Sequence, residues 1–159
     1  MTTIMDMDRD QQQLYRELAR DKAREKVARI NYLRHLRQLY ESGLTQVALA
    51  EVENVSQPTI SDLLKRARFE APDVRPGTHG GTAYEIAARY AAGEIDSATV
   101  RRELIEWAYE KPGAPNPFPY ANDVRPIREG GFNNQVGRAL RDGLLADEDY
   151  DAVLNALAD

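Results

Sequence analysis

The sequence contains no cysteine and only two histidines, His35 and His79. The lack of cysteine excludes disulfide bonds, a thiolate nucleophile and cysteine-ligated zinc. The two histidines lie far apart in the chain, and neither has a second histidine at metal-ligand spacing. The sequence therefore favours neither a metal site nor a histidine-based catalytic triad, and we expect a protein that is not an enzyme and needs no cofactor.

The chain also lacks a long apolar run. No uninterrupted apolar stretch approaches the roughly 18 residues of a membrane span, and no basic leader precedes one. The composition, with 30% charged and 42% hydrophobic residues in 159, is typical of one folded domain or two small ones. We expect a cytoplasmic protein with no membrane partner.

Charge is distributed unevenly along the chain. Acidic residues outnumber basic ones by 26 to 21, which argues against coating of nucleic acid by bulk charge. Residues 1–70 carry 12 basic and 11 acidic groups, whereas residues 71–159 carry 9 and 15. Residues 16–37 alone hold eight basic and three acidic groups. This run is either the solvated face of a helix or a flank that faces phosphates.

Helical spacing of apolar residues dominates the sequence. Residues 8–42 contain neither Gly nor Pro, which predicts one long helix or two abutting ones, capped by Asp8 or Asp10 and ended by Gly43. Such a helix is too long for one small core, so we expect its first half to pack on a second copy or on the C-terminal half. Further helices are predicted at 45–53, 57–69, 82–92, 97–110, 133–142 and 147–158. No useful segment alternates with period two, so the predicted fold is all-α.

The pattern divides the chain into two helical domains. Residues 1–70 form the first, residues 71–81 are predicted to be a linker because they contain two prolines and three glycines, and residues 82–159 form the second. Within the second domain, 111–131 hold five of the eight prolines and predict a surface strap or a disordered connection. A weak repeat at an offset of 50 residues, which aligns Gly93 with Gly143, predicts two helical hairpins. They either dock on each other or form a surface for a partner.

Residues 46–65, QVALAEVENVSQPTISDLLK, contain the most specific pattern. Ala50 is small enough for a second helix to cross over it, Asn54 tolerates the positive φ of a turn, and Ser56 is a helix N-cap. Pro58 lies in the first turn of the following helix, where a missing N–H costs little. The residues expected to form the small core are Leu49, Val55, Ile60 and Leu63.

This stretch resembles the helix-turn-helix of DNA-binding regulators of the bacterial and phage repressor or antitoxin type. Residues 32–40 would supply the first helix of its trihelical unit. Two positions depart from the family's pattern: Asn54 replaces the usual Gly, and Glu53 stands where an apolar residue is common, so we expect Val52 to take over that packing. Residues 89–104 also resemble hairpins of small bacterial antitoxins.

The resemblance implies that the helix after the turn binds double-stranded DNA. Gln57 can pair with adenine, Lys65 can contact a phosphate or guanine, and Ser56 with the helix N-terminus can hold a phosphate. The phase set by Ile60 and Leu63 indicates which residues face the groove. The expected DNA-binding residues are Ser56, Gln57, Pro58, Thr59, Ser61, Asp62, Lys65 and Arg66, with candidate phosphate contacts at Arg34, Arg37, Thr45 and Gln46.

The acidic half contains a group of aromatic residues near the prolines. Trp107, Tyr109, Phe118 and Tyr120 are either anchors for a protein partner or a small core with prolines stacked on the indole. The last predicted helix begins with an acidic cluster, which favours capping of the helix start over a divalent-ion site. The cluster consists of Asp147, Glu148, Asp149 and Asp151.

We expect a transcriptional regulator, a repressor, that acts as a homodimer on a palindromic operator. The alternative is an interaction module whose acidic C-terminal half binds a second protein.

Overall fold

The computed structural model describes residues 4–111 and 130–158. Across these residues it contains helices and no β-strand, which confirms the all-α prediction. The seven α-helices are α1 (Arg9–Glu41), α2 (Gln46–Glu53), α3 (Gln57–Glu70), α4 (Ala83–Ala91), α5 (Ser97–Glu106), α6 (Arg138–Arg141) and α7 (Asp147–Ala158). A 3-10 turn, Ile4–Asp6, precedes α1, and a π-helical turn, Asn133–Gly137, leads into α6.

Two of the sequence-based predictions concern the proline-rich segment and membrane crossing. Most of the proline-rich segment 111–131, with Phe118 and Tyr120, lies outside the described residues. Across the ranges that are described, no helix combines the length and the apolar character needed to cross a membrane.

Helix α1 is a single continuous helix of 33 residues. Its start is fixed by a reciprocal pair: the Asp8 carboxylate accepts from the Gln11 N–H at 2.8 Å, and the Gln11 amide oxygen accepts from the Asp8 N–H at 3.0 Å. Gly43, at φ 118°, follows its end. At 1.5 Å per residue, α1 is about 50 Å long.

Two apolar cores lie along this helix. The larger core joins α4–α7 to the middle of α1 through Ala23 and Val27. The smaller core joins the C-terminal part of α1 to α2 and α3 through two adjoining clusters, one around Leu36, Leu49 and Ile60 and one around Leu33 and Ala67. Because α1 contributes to both cores, it connects the two halves of the molecule along one rigid element. Its middle therefore packs on the C-terminal half, a contact that the sequence offered as one alternative for the whole first half of the helix.

The first turns of α1 extend beyond both cores. Leu14 and Leu18 are 63% and 55% exposed. At 100° per residue they lie on a different side of the helix from Ala23 and Val27, so the larger core does not cover them. They leave an apolar surface open on the described chain.

The segment 71–81, which was predicted to be a linker, connects α3 to α4 without helical structure and is packed against the rest of the protein. Ala71 and Gly81 are buried. The Arg75 N–H donates to the Gly80 carbonyl at 3.1 Å, and the Arg75 guanidinium lies 3.8 Å from the centre of the Trp107 ring. Proline and glycine here shape a tight ordered path rather than a mobile one.

The two hairpins dock on each other, which decides between the alternatives left by the repeat. Gly93 and Gly143 both adopt positive φ, 88° and 77°, and α5 packs on α7. At this contact the buried Asp149 carboxylate accepts from the Tyr90 hydroxyl at 2.9 Å and the Ser97 hydroxyl at 2.9 Å. It also accepts from the Arg101 Nε at 2.6 Å. Asp149 therefore holds the hairpins together.

Candidate nucleic-acid interface

Local residue preferences position α2 and α3. The Thr45 hydroxyl caps α2 by accepting from the Ala48 N–H at 3.1 Å. Asn54 ends α2 in the left-handed region, at φ 55° and ψ 46°. The Ser56 hydroxyl accepts from the Thr59 N–H at 3.3 Å and caps α3. Asn54 and Ser56 were expected in these roles because Asn tolerates positive φ and the Ser hydroxyl satisfies a free amide, whereas Thr45 was predicted only as a phosphate contact.

Packing beneath α3 differs in part from the prediction. Leu49, Ala50 and Ile60 are buried as expected, and Leu63 is partly buried. Val55 is 40% exposed, so its assignment to the core was wrong. Val55 follows the left-handed turn residue, where the chain changes direction, and Leu64 occupies the inner position one turn after Ile60 instead.

The polar residue at position 53 interacts with Tyr32 on α1. The prediction that Val52 takes over the packing of the apolar residue common at position 53 was wrong, because Val52 is 78% exposed. The interaction with Glu53, together with burial, raises the pKa of Tyr32 above its ordinary value. Glu53 thus joins α2 to α1 through a polar contact.

The outer face of α3 is open to solvent in the described chain. Gln57, Pro58, Asp62 and Lys65 are exposed, and Ser61 is partly exposed. No ion pair among the described residues includes Asp62 or Lys65. These polar groups are therefore available to a ligand.

The flanks of this face are partly occupied by local contacts. The exposed Arg66 pairs loosely with Glu70, at 3.5 Å, one turn further along α3. The Thr59 hydroxyl lies 2.8 Å from the Ser56 hydroxyl. Both side chains remain accessible, but each already has a neighbour within its own helix.

The start of α2 lies beside the start of α3. Thr45 is exposed and Gln46 is partly exposed. Both line one cleft of about 640 Å³ together with Gln57. The structure thus brings two of the expected phosphate contacts next to one of the expected base contacts.

The other two candidate phosphate contacts are structural residues, and their prediction was wrong. The Arg34 side chain is buried; its Nε donates to the Pro72 carbonyl at 3.0 Å, and its Nη atoms donate to the Glu85 carboxylate. The Arg37 side chain is also buried and donates to the Ala71 carbonyl. It also donates to the Asp73 carboxylate at 2.5 Å, which holds the pKa of Asp73 below its ordinary value.

The aromatic residues of the acidic half that the structure describes belong to its core, which is the second of the two sequence-based alternatives; the first, partner-binding anchors, was wrong for Trp107 and Tyr109. Trp107 is only 8% exposed, and Arg75 covers one face of its ring. Tyr109 packs edge-on against Phe132 at 5.3 Å between ring centres, and its hydroxyl donates to the Leu104 carbonyl. Burial raises the pKa of Tyr109 above its ordinary range.

Sequence reasoning missed the buried acid that faces Arg34. Glu85 is completely buried on α4, and its carboxylate accepts from Arg34, from the Arg89 Nε at 2.9 Å and from the Gly81 N–H at 2.8 Å. Glu85 lies 51 residues from Arg34, so no local spacing could reveal the pair.

Comparisons with protein-family models, curated proteins and solved structures give no match to this chain.

Proposed function

We propose that the protein binds double-stranded DNA in a sequence-specific manner through the outer face of α3. The observation that carries the proposal is the row of exposed polar side chains that includes Gln57 and Lys65, on a helix anchored from behind by Ile60. With 14 residues α3 is about 21 Å long. An α-helix fits the major groove, which is about 12 Å wide.

The chemistry of the exposed face assigns a role to each side chain. Gln57, in the first turn of α3, can form two hydrogen bonds with adenine, and Lys65 can donate to guanine or to a phosphate. Asp62 repels phosphates and accepts from the amino group of cytosine. Thr45 and Gln46 lie at the N-terminus of α2, where free amides and the helix dipole attract phosphate.

A dimer follows from the small number of base contacts. One helix offers few contacts, so two copies on half-sites about 34 Å apart would supply the affinity and specificity that a regulator needs. The exposed Leu14 and Leu18 of α1 give a second copy an apolar surface on which to pack. The protein would then act as a transcriptional repressor on a palindromic operator.

The alternative of a protein-interaction module is less well supported. It depended on aromatic anchors in the acidic half, and Trp107 and Tyr109 are both packed against the larger core. The neighbouring hairpins bury their apolar faces against each other, so they do not offer a free apolar surface at the α5–α7 contact. DNA binding therefore remains the function that we propose.

Paired substitutions test the proposal. Gln57→Ala and Lys65→Ala should each weaken binding to the selected DNA by about 1–3 kcal/mol if the residue contacts a base, roughly 5- to 150-fold in Kd. As a matched control, alanine replaces Asn155 on α7 and Arg102 on α5, which are both exposed. Thermal unfolding of all variants should match that of the wild type. Unchanged DNA affinity in the Gln57 and Lys65 variants would contradict the proposal.

A further inference from the structure

A cleft of about 430 Å³ lies between α1, α3 and the C-terminal core. Its walls carry five cationic side chains: Lys22, Lys26, Arg29, Arg66 and Arg138. Three acidic residues, Glu25, Glu70 and Asp142, also line it, so the lining has a net charge of +2. The volume lies within the range of about 300–1,000 Å³ that is typical of small-molecule sites.

The acids of this cleft do not neutralise its cations. The Asp142 carboxylate accepts from the Tyr84 hydroxyl at 2.6 Å, and Glu70 pairs only loosely with Arg66. No ion pair among the residues that the structure describes includes Lys22, Lys26 or Arg29. Three cations on one helix therefore line the cleft without a carboxylate partner within 4 Å in the described ranges 4–111 and 130–158.

Arg138 supplies a second, independent observation. Its guanidinium lies 3.9 Å from the centre of the Tyr84 ring, which fixes its plane. Its Nε is buried and has no hydrogen-bond partner in the described chain. Leaving a buried guanidinium N–H unpaired is costly, so Arg138 has donor capacity that the described residues do not use.

We propose that this cleft binds a small organic phosphate. Guanidinium groups match the geometry of phosphate oxygens, and several cations in one cleft favour a multiply charged anion over a monocarboxylate. The ligand would contact α3 through Arg66 and the C-terminal core through Arg138. Through these contacts it links the helix of the proposed DNA interface to the rest of the molecule. Ligand binding itself does not depend on the proposed function, whereas its effect on DNA does.

Calorimetric titration of the full chain with inorganic pyrophosphate and with ADP tests the site directly. The double variant Lys26→Gln/Arg29→Gln should weaken pyrophosphate binding at least tenfold. The control Arg9→Gln/Arg16→Gln makes the same change of charge on the same helix, at least ten residues or about 15 Å nearer its start, and should bind like the wild type. Absence of binding by both probes, or an equal loss in the two double variants, would overturn the proposal.

Two further measurements separate this site from other sources of the same chemistry. Arg138→Gln should also weaken pyrophosphate binding, with thermal unfolding recorded to show that the variant is folded. Citrate, titrated in parallel, should bind more weakly than pyrophosphate; tighter binding of citrate would overturn the assignment to phosphate. If Lys26→Gln/Arg29→Gln weakens DNA binding while neither probe binds the wild type, the cleft holds DNA phosphates and the proposal fails.

The measurements on phosphate probes use no DNA, so they stand even if the protein does not bind DNA. Where a DNA site has been selected, bound ligand should change DNA affinity and DNA should change ligand affinity by the same factor. An unchanged DNA affinity in the presence of saturating pyrophosphate would contradict a coupling through this cleft.

Discussion

Replacing Glu85 with glutamine should remove much of the stability that joins the two halves of the protein. The Glu85 carboxylate is fully buried and accepts from Arg34 on α1, from Arg89 on α4 and from the Gly81 N–H. Glutamine has a similar volume but no charge. It would leave the buried Arg34 guanidinium without its counter-charge while the surrounding packing is preserved.

The magnitude follows from this burial. Removing one partner of a buried ion pair typically costs about 3–5 kcal/mol, because the remaining charge is uncompensated. Glu94 provides a matched control: it also pairs with Arg89, at 3.0 Å, but its side chain is 45% exposed. Pairs near the surface are worth about 0–1 kcal/mol, so Glu94→Gln should change stability by no more than that.

Urea denaturation, followed by far-ultraviolet circular dichroism, measures both variants. With a slope of about 2 kcal/mol per molar urea, Glu85→Gln should lower the midpoint by roughly 1.5–2.5 M and Glu94→Gln by less than about 0.5 M. The double variant Arg34→Met/Glu85→Gln should recover part of the loss, since no buried charge at position 34 is then left unpaired. A similar small midpoint shift for both single variants would refute the reasoning.

Three further perturbations have defined outcomes. Asn54→Gly should leave the melting temperature nearly unchanged. Asn54→Ala should lower the free energy of unfolding by about 1 kcal/mol, because alanine is strained at positive φ. Equal stability of the two variants would contradict this. Gly81→Ala should cost about 1–3 kcal/mol, since the added Cβ would lie 2.3 Å from the Pro72 carbonyl oxygen; wild-type stability would contradict the packing of 71–81. Burial raises the pKa of Asp149, but its hydrogen bonds, led by that from Arg101, outweigh burial and lower it overall. A lowered pKa stabilises the fold at neutral pH and loses that effect in acid, so the difference in melting temperature between wild type and Asp149→Asn should shrink below about pH 4; a constant difference would contradict this.

Local features of the structure could be predicted from the sequence. The N-caps at Asp8 and Ser56 and the left-handed Asn54 depend on interactions within a few residues, and the structure has all three. The exposure of Gln57 and its neighbours also follows from the helical phase of Ile60. Such features need no knowledge of the rest of the chain.

Long-range partners could not be predicted in the same way. Arg34 and Arg37 lie within a basic run and resemble surface cations in sequence. Apart from the Glu41 carboxylate, one turn after Arg37, their partners are Glu85, Asp73 and the carbonyls of Ala71 and Pro72, at least 34 residues away. The same limit applies to the segment 71–81, where Pro and Gly indicate a linker but do not show which tertiary contacts it makes with both halves.

Aromatic residues gave an ambiguous signal for a related reason. Trp107 is equally suited to an interface or to a core, and its environment depends on Arg75, 32 residues earlier in the chain.

The cationic cleft could not be predicted from the sequence either, because its lining is drawn from α1, α3 and the region around Arg138. Spacing along one helix does not show which charges from other helices will lie opposite.

The most direct test of DNA binding through α3 is the selection of bound fragments from a random pool of duplex DNA at two salt concentrations. Our account predicts enrichment of a palindromic sequence with half-sites about one helical turn apart, and this enrichment should persist at the higher salt. The enriched site should lose its preference for the selected bases when Gln57 is replaced by alanine. A pool that remains random at both salt concentrations, or the same enriched site for wild type and Gln57→Ala, would contradict the account.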